Sequence, residues 1–163
     1  MSARAGGPRR WAASLLLACG VLVVVLLVAV AEPMRVTSAS MHPTLAEGDH
    51  IVIDKLTVRW RPPARGELVV FRDPEGRDLA VKRVVALGGQ TVALEDGVLQ
   101  IDGIPQPEPE LDHRGVDSVY FGPVTVPVGS VFVMGDNRGE SIDSRAYGAI
   151  PVDDLVGRVT LRL

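Results

Sequence analysis

Residues 79–101 read Leu79-Ala80-Val81-Lys82-Arg83-Val84-Val85-Ala86, a turn Leu87-Gly88-Gly89-Gln90, then Thr91-Val92-Ala93-Leu94, Glu95-Asp96-Gly97 and Val98-Leu99-Gln100-Ile101. Three short runs rich in Val, Ile and Leu, parted by a Gly-Gly turn and an Asp-Gly hairpin signal, predict consecutive antiparallel strands. The same punctuation extends outward. His50–Asp54, Glu67–Phe71, Ser118–Phe121, Val124–Val126, Val131–Met134 and Leu155–Leu161 are further aliphatic runs bounded by Gly, Pro, Asp or Asn. No stretch after residue 50 keeps a 3.6-residue period for more than two turns, and no internal repeat is found. The span Asp102–Gly115, with Pro105, Pro107, Pro109 and many acids, reads as an exposed loop. The fold class expected is mainly β: a compact antiparallel domain.

Before it lies a different composition. Ala12 to Ala31 contains no charged residue and is mostly Leu, Val and Ala, while Arg4, Arg9 and Arg10 precede it without any acid. Twenty helical residues at ~1.5 Å rise span about 30 Å, the thickness of a bilayer's hydrocarbon core. Arginines on the near side predict a cytoplasmic N-terminus (1–11), a single transmembrane helix (12–31) and an extracytoplasmic domain (32–163). Ala29-Val30-Ala31 before Glu32 also fits a small-x-small cleavage site. The competing reading is therefore a removed secretory signal, although the apolar run is longer than the ~7–15 residues of a signal core.

The 163 residues suffice for one such domain with its attachment. A net charge of −3 argues against a general nucleic-acid binder, which carries a basic footprint. One cysteine excludes an intrachain disulfide, and no Cys/His spacing matches a structural zinc site. The basic residues are 15 Arg and 2 Lys, so each lysine stands out.

Three polar segments interrupt the β pattern. In Thr37-Ser38-Ala39-Ser40-Met41-His42-Pro43-Thr44-Leu45, serines at i and i+2 share one side of an extended chain. One hydroxyl is then suited to attack and its neighbour to hold an oxyanion. Taken alone, the segment is equally a Ser/Thr-rich turn entering a strand. In Leu79–Ala86, alternation puts Ala80, Lys82, Val84 and Ala86 on one face, with Lys82 its only charge. Burial there lowers a lysine pKa toward a working base, which arginine cannot become. A lysine snorkelling from an edge strand is the plain alternative. In Met134–Arg145, Gly135-Asp136-Asn137-Arg138 suits a tight turn, Ser141 suits a hydrogen bond to a catalytic group, and Asp143 can pair with Arg145.

Together the segments resemble the bacterial type I signal peptidases, from the anchor to about Pro151. The blocks, in the family's order, are Ser38-x-Ser40-Met41-x-Pro43-Thr44-Leu45, then Gly48-Asp49 with Lys55. Arg65-Gly66-Glu67-Leu68-Val69-Val70-Phe71 and Val81-Lys82-Arg83-Val84 follow. The last is Gly135-Asp136-Asn137-Arg138 with Ser141, Asp143-Ser144-Arg145 and Gly148. The resemblance implies a serine endopeptidase with Ser40 as nucleophile and Lys82 as general base. It implies that Ser38 joins the Ser40 N–H in an oxyanion hole and that Ser141 orients the Lys82 amine. Asp143 and Arg145 become a structural ion pair, and Val36, Met41, Leu45 and Val81 line pockets for small residues at substrate positions −1 and −3. The implied partners are secretory preproteins and membrane lipid, near the secretion translocon, with the catalytic domain on the outer side of the cell membrane. The resemblance implies no metal, no organic cofactor and no nucleic acid.

The chain departs from the family pattern at Thr37, where many members have Pro, and at Ala86-Leu87-Gly88-Gly89-Gln90. It departs again at Gly139-Glu140, where an Asp-Asn pair is common, and the large inserted β subdomain of some members is not evident. Three other classes share parts of this pattern: a Ser-Lys autoprotease related to SOS-response repressors, a non-catalytic membrane-anchored β domain, and a Ser-His-Asp hydrolase using His42, His50 or His113. The first needs a partner or DNA-binding module, the second has no need of Ser40, Lys82 and Ser141 together, and the third lacks a triad block.

Overall fold

The aliphatic runs form strands because β-branched and other apolar side chains pack well on a pleated, buried surface. In a computed structural model, which describes residues 11–21, 31–74, 76, 78–109, 111 and 120–162, they build two antiparallel sheets. The strands are β1 (Ala31–Arg35), β2 (His50–Asp54), β3 (Leu68–Arg72), β4 (Leu79–Leu87), β5 (Thr91–Glu95), β6 (Val98–Ile101), β7 (Ile104–Pro105), β8 (Phe121–Thr125), β9 (Ser130–Met134), β10 (Ile150–Pro151) and β11 (Leu155–Arg162). The larger sheet runs β1-β2-β11-β3-β4-β9-β10 and the smaller β7-β6-β5-β8. Two four-residue helices, α1 (Thr57–Trp60) and α2 (Ser144–Tyr147), sit in connections.

Three apolar clusters hold the layers together. Val36, Met41, Leu45, Ile51, Ile53, Val70 and Val81 fill one face of the large sheet beneath the segment that carries Ser40. Val58, Val69, Phe71, Val84, Val131, Val133, Ile150 and Leu155 fill the other. Val85 and Ala86 of β4, with Phe132 and Met134 of β9, pack against Val92, Leu94, Leu99 and Ile101 of the small sheet. Full burial of each large aliphatic or aromatic side chain is worth about 1.5–3 kcal/mol, so these clusters dominate the stability.

Several expectations change in detail. The register of β4 against β9 shifts between Val84 and Ala86. That bulge adds a residue and reverses the alternation, so Ala86 joins Val85 in the cluster under the small sheet and leaves the Ala80–Val84 face. The span Asp102–Gly115 is not a uniformly exposed loop: Ile104–Pro105 pairs with β6, and Glu108 is buried. The runs Ser118–Phe121 and Val124–Val126 resolve into the single strand β8, with residues 118 and 119 outside those described.

Residues 11–21 are helical, but 22–30, and with them the second half of the expected membrane span up to its Ala29-Val30 pair, lie outside the described residues. Among the described residues no helix is long and apolar enough to cross a membrane. Ala31, counted in the span from sequence, instead opens β1 opposite Asp54, and the next residue, Glu32, pairs with Lys55. A strand already hydrogen-bonded to β2 cannot also continue a helix.

Candidate active site

The turn that carries Ser40 is a single 3-10 turn, Ala39–Met41, entered from an extended Ser38. The segment is thus not the extended chain read from the serine spacing. The two hydroxyls nevertheless meet, with Ser38 Oγ 3.2 Å from Ser40 Oγ. Met41 is 1% exposed and anchors the turn in the core, so the backbone beside Ser40 is fixed by burial.

Lys82 arrives from β4, where it pairs across the ladder with Val69. Its Nζ donates to Ser40 Oγ at 2.7 Å. The side chain is 6% exposed. Burial pushes the amine below the ordinary lysine range; Asp143, Asp73 and Asp136 pull it back up, and Arg145 assists the fall. Desolvation is the largest effect and shifts the balance toward the neutral amine beside the hydroxyl. A neutral amine next to a serine oxygen can take its proton, and a serine relieved of its proton is a nucleophile.

Ser141, expected from sequence to orient the Lys82 amine, makes no such bond: its Oγ is buried and has no hydrogen-bond partner among the described residues. The side chain packs on Gly135, where an added Cβ would overlap both Ser141 and the Ser40 carbonyl oxygen, so only glycine fits. Asp143 is fully buried and meets Arg145 through two parallel bonds of 2.8 Å. It also accepts from the Gly135 N–H at 3.0 Å and from the Arg145 N–H at the start of α2. This carboxylate therefore ties the end of β9 to α2 directly under the nucleophile.

An open cleft of about 300 Å³ runs past Ser38, Ser40 and Lys82. Val36, Met41 and Val81 line it, whereas Leu45 does not and packs behind in the core. Met34 and Ile142 add apolar surface, and Asp73, Asp78 and Glu140 supply acid. Among the described residues no group of three or more His, Cys, Asp or Glu is placed to hold a metal.

A family model described as signal peptidase, peptidase S26, matches residues 8–163. The chain belongs to the signal peptidase family, peptidase S26. It is a serine endopeptidase. The Synechocystis sp. protein named probable signal peptidase I-1 is 41% identical over 157 residues, covering 91% of this chain and 79% of its own. Signal peptidase I of Mycobacterium tuberculosis is 36% identical over 198 residues, covering 86% and 67%. The crystal structure of a signal peptidase I from Enterococcus faecalis superimposes with a TM-score of 0.54 at 28% identity, over 61% of this chain and 98% of that one.

Further charged and polar side chains of this signal peptidase chain brace the site, through partners that no local sequence pattern names. Arg83, on the far side of β4 from Lys82, grips buried Asp136 through bonds of 2.8 and 2.6 Å and reaches the Gly66 carbonyl and Thr44 hydroxyl. Arg138 pairs with Glu108, both buried, and donates to the Gly135 carbonyl. Asn137 bonds the backbone of Ala39 and Ser40. The available signal was the charge density of Asp136-Asn137-Arg138 beside an apolar strand, since charges that enter a core must be paired.

Proposed function

We propose that the protein removes N-terminal signal peptides from secreted preproteins, cutting after an Ala-x-Ala site with a Ser40–Lys82 dyad. The observation that carries this reading is the 2.7 Å contact between Lys82 Nζ and Ser40 Oγ at a buried amine whose pKa is lowered. Lys82 takes the Ser40 proton as Oγ adds to the carbonyl carbon of residue −1. The Ser40 N–H and the Ser38 hydroxyl hold the oxyanion, and the proton passes to the leaving amine as the peptide bond breaks. Lys82 then takes a proton from water, whose oxygen adds to the acyl carbon, and returns it to Ser40 as the ester breaks. The Asp143–Arg145 pair holds the loop beneath the dyad.

Specificity follows from the size of the cleft. Val36, Met41 and Val81, backed by Leu45, leave room for small side chains at −1 and −3, where larger ones clash. The substrate lies extended along the site, with its own apolar helix still in the bilayer. The apolar segment that begins at residue 12 and ends before β1 anchors the enzyme in the same membrane with the β domain outside the cytoplasm, and the shared membrane raises the effective concentration of preprotein near the translocon. The upstream arginines and the uncharged run support that placement.

The test is to incubate the purified protein with a signal-peptide-bearing preprotein and sequence the product's N-terminus. Wild type should cut directly after the −1 alanine, and Ser40→Ala should give no product. Cutting by Ser40→Ala, or cuts with no small residue at −1 and −3, would overturn the proposal.

A further inference from the structure

The loop after β9 crosses to the nucleophile's turn through Asn137. Its backbone N–H donates to the Ser40 carbonyl at 3.0 Å. Its side-chain Nδ2 donates to the Ala39 carbonyl at 3.2 Å and to Glu140 Oε2 at 3.1 Å. Both amide hydrogens thus face acceptors. Turning the amide over would set its own oxygen against a carbonyl and a carboxylate, so Glu140 selects the orientation that serves Ala39.

The Ala39 carbonyl and the Ser40 N–H are opposite ends of one planar peptide unit. The cis bonds among the described residues lie elsewhere, at His42-Pro43 and Gly122-Pro123, so this unit is trans and its carbonyl and N–H point in opposite directions. Whatever fixes the aim of the carbonyl fixes the aim of the N–H. Asn137 shares this task with the His42 N–H, which donates to the same oxygen at 3.0 Å within the 3-10 turn. A donor on the carbonyl also polarises the amide and strengthens its N–H as a donor. The second bond, to the Ser40 carbonyl, pins the following peptide unit, so the nucleophile is held on both sides from one residue.

We propose that Asn137 is a positioning residue that aims the Ser40 N–H at the substrate oxyanion by holding the Ala39 carbonyl from behind, with Glu140 fixing the Asn137 amide. This rests on the Ser40–Lys82 reading and on the oxyanion role of the Ser40 N–H. It gives a task to Glu140, one of the positions at which this chain departs from its family's pattern. Gly135 makes the approach possible, since any side chain there would push the loop off the Ser40 carbonyl.

The experiment compares Asn137→Ala, Asn137→Asp and Glu140→Gln on an Ala-x-Ala peptide and on a peptide aldehyde with the same residues. Ser40 Oγ adds to the aldehyde carbon, Lys82 takes the hydroxyl proton, and the former carbonyl oxygen becomes an oxyanion in the same hole. The aldehyde therefore reads that hole without a bond being cleaved. Loss of one well-placed oxyanion donor costs about 100- to 1,000-fold in kcat, so a donor left present but misaimed should cost about 30- to 100-fold. Asn137→Ala should show that fall with KM within about twofold, and weaken the aldehyde by the same factor. Asn137→Asp should be worse, because a carboxylate donates to neither acceptor. Glu140→Gln, at an exposed position, should fold normally and lose a few-fold in kcat alone.

If both Asn137 variants keep kcat and aldehyde affinity near wild type, the proposal is overturned. It is equally overturned if cleavage slows while the aldehyde binds unchanged, or if Glu140→Gln alters only KM. Ser40→Ala and Lys82→Arg run alongside separate the two levels. Activity in those variants defeats the dyad itself, whereas inactive dyad variants with unaffected Asn137 variants defeat only this inference.

Discussion

Lys82 is a cation placed where its charge is disfavoured, and that has a consequence for folding as well as catalysis. Burial lowers its pKa in the folded protein below that of a free lysine. The unfolded chain therefore binds more protons at this site between the two pKa values, so this group makes stability rise with pH across that window. The penalty is full below the folded pKa and vanishes above the unfolded one. Lys82→Met should thus melt at a higher temperature than wild type at pH 7, with the difference shrinking toward pH 10. Thermal melts at the two pH values check this, and an unchanged or lower midpoint at pH 7 contradicts it. Lys82 stands out in the sequence because lysine is scarce here and a strand pattern exposes an odd charge, whereas Ser40 is singled out only by the family resemblance. Arg83–Asp136 does not stand out, since arginine is abundant in this chain and the partner lies 53 positions away.

Elements were legible where hydrophobic runs were continuous, as in β2, β4, β6, β9 and β11. The missed strands β1, β7 and β10 lie at sheet edges and carry Pro33, Pro105 and Pro151. The fourth edge strand, β8, carries Pro123, while every interior strand is free of proline. Proline removes a ladder donor and so is tolerated only at edges, where it also blunts pairing with other chains. A proline that reads as loop in sequence thus marks where each sheet stops. The two helices are too short for a period, and α2 forms because Asp143 accepts from the Arg145 N–H at its start. The loop after β7 was misread because Glu108 finds Arg138, a partner invisible to local pattern. Glu108→Ala leaves Arg138 charged and buried, and should cost about 3–5 kcal/mol by urea unfolding. A loss below about 1 kcal/mol would mean that the loop is not tied down through this pair.

At the scale of the whole molecule, the sheet order was not legible. The C-terminal β11 inserts between β2 and β3, and Gly157 permits it, because a Cβ there would overlap Ile53 and the Asp54 backbone. Nothing local in Leu155–Leu161 names those partners. The family blocks, by contrast, converge: Ser40, Lys82 and the β9–α2 loop meet across a chain separation of 42 residues for the dyad contact alone. The proposed topology is tested by fusing a reporter that works only in the cytoplasm after Leu163; it should be silent, and strong activity would reverse the orientation. The dyad is tested most directly by the pH dependence of Ala-x-Ala peptide cleavage in wild type, Lys82→Arg and Lys55→Arg. The wild-type rate should rise with pH through a pKa well below the ~10.4 of free lysine. Lys55→Arg should follow it closely, and Lys82→Arg should be inactive throughout, because arginine keeps its proton at every pH used. Cleavage by Lys82→Arg at near wild-type rates would contradict the account.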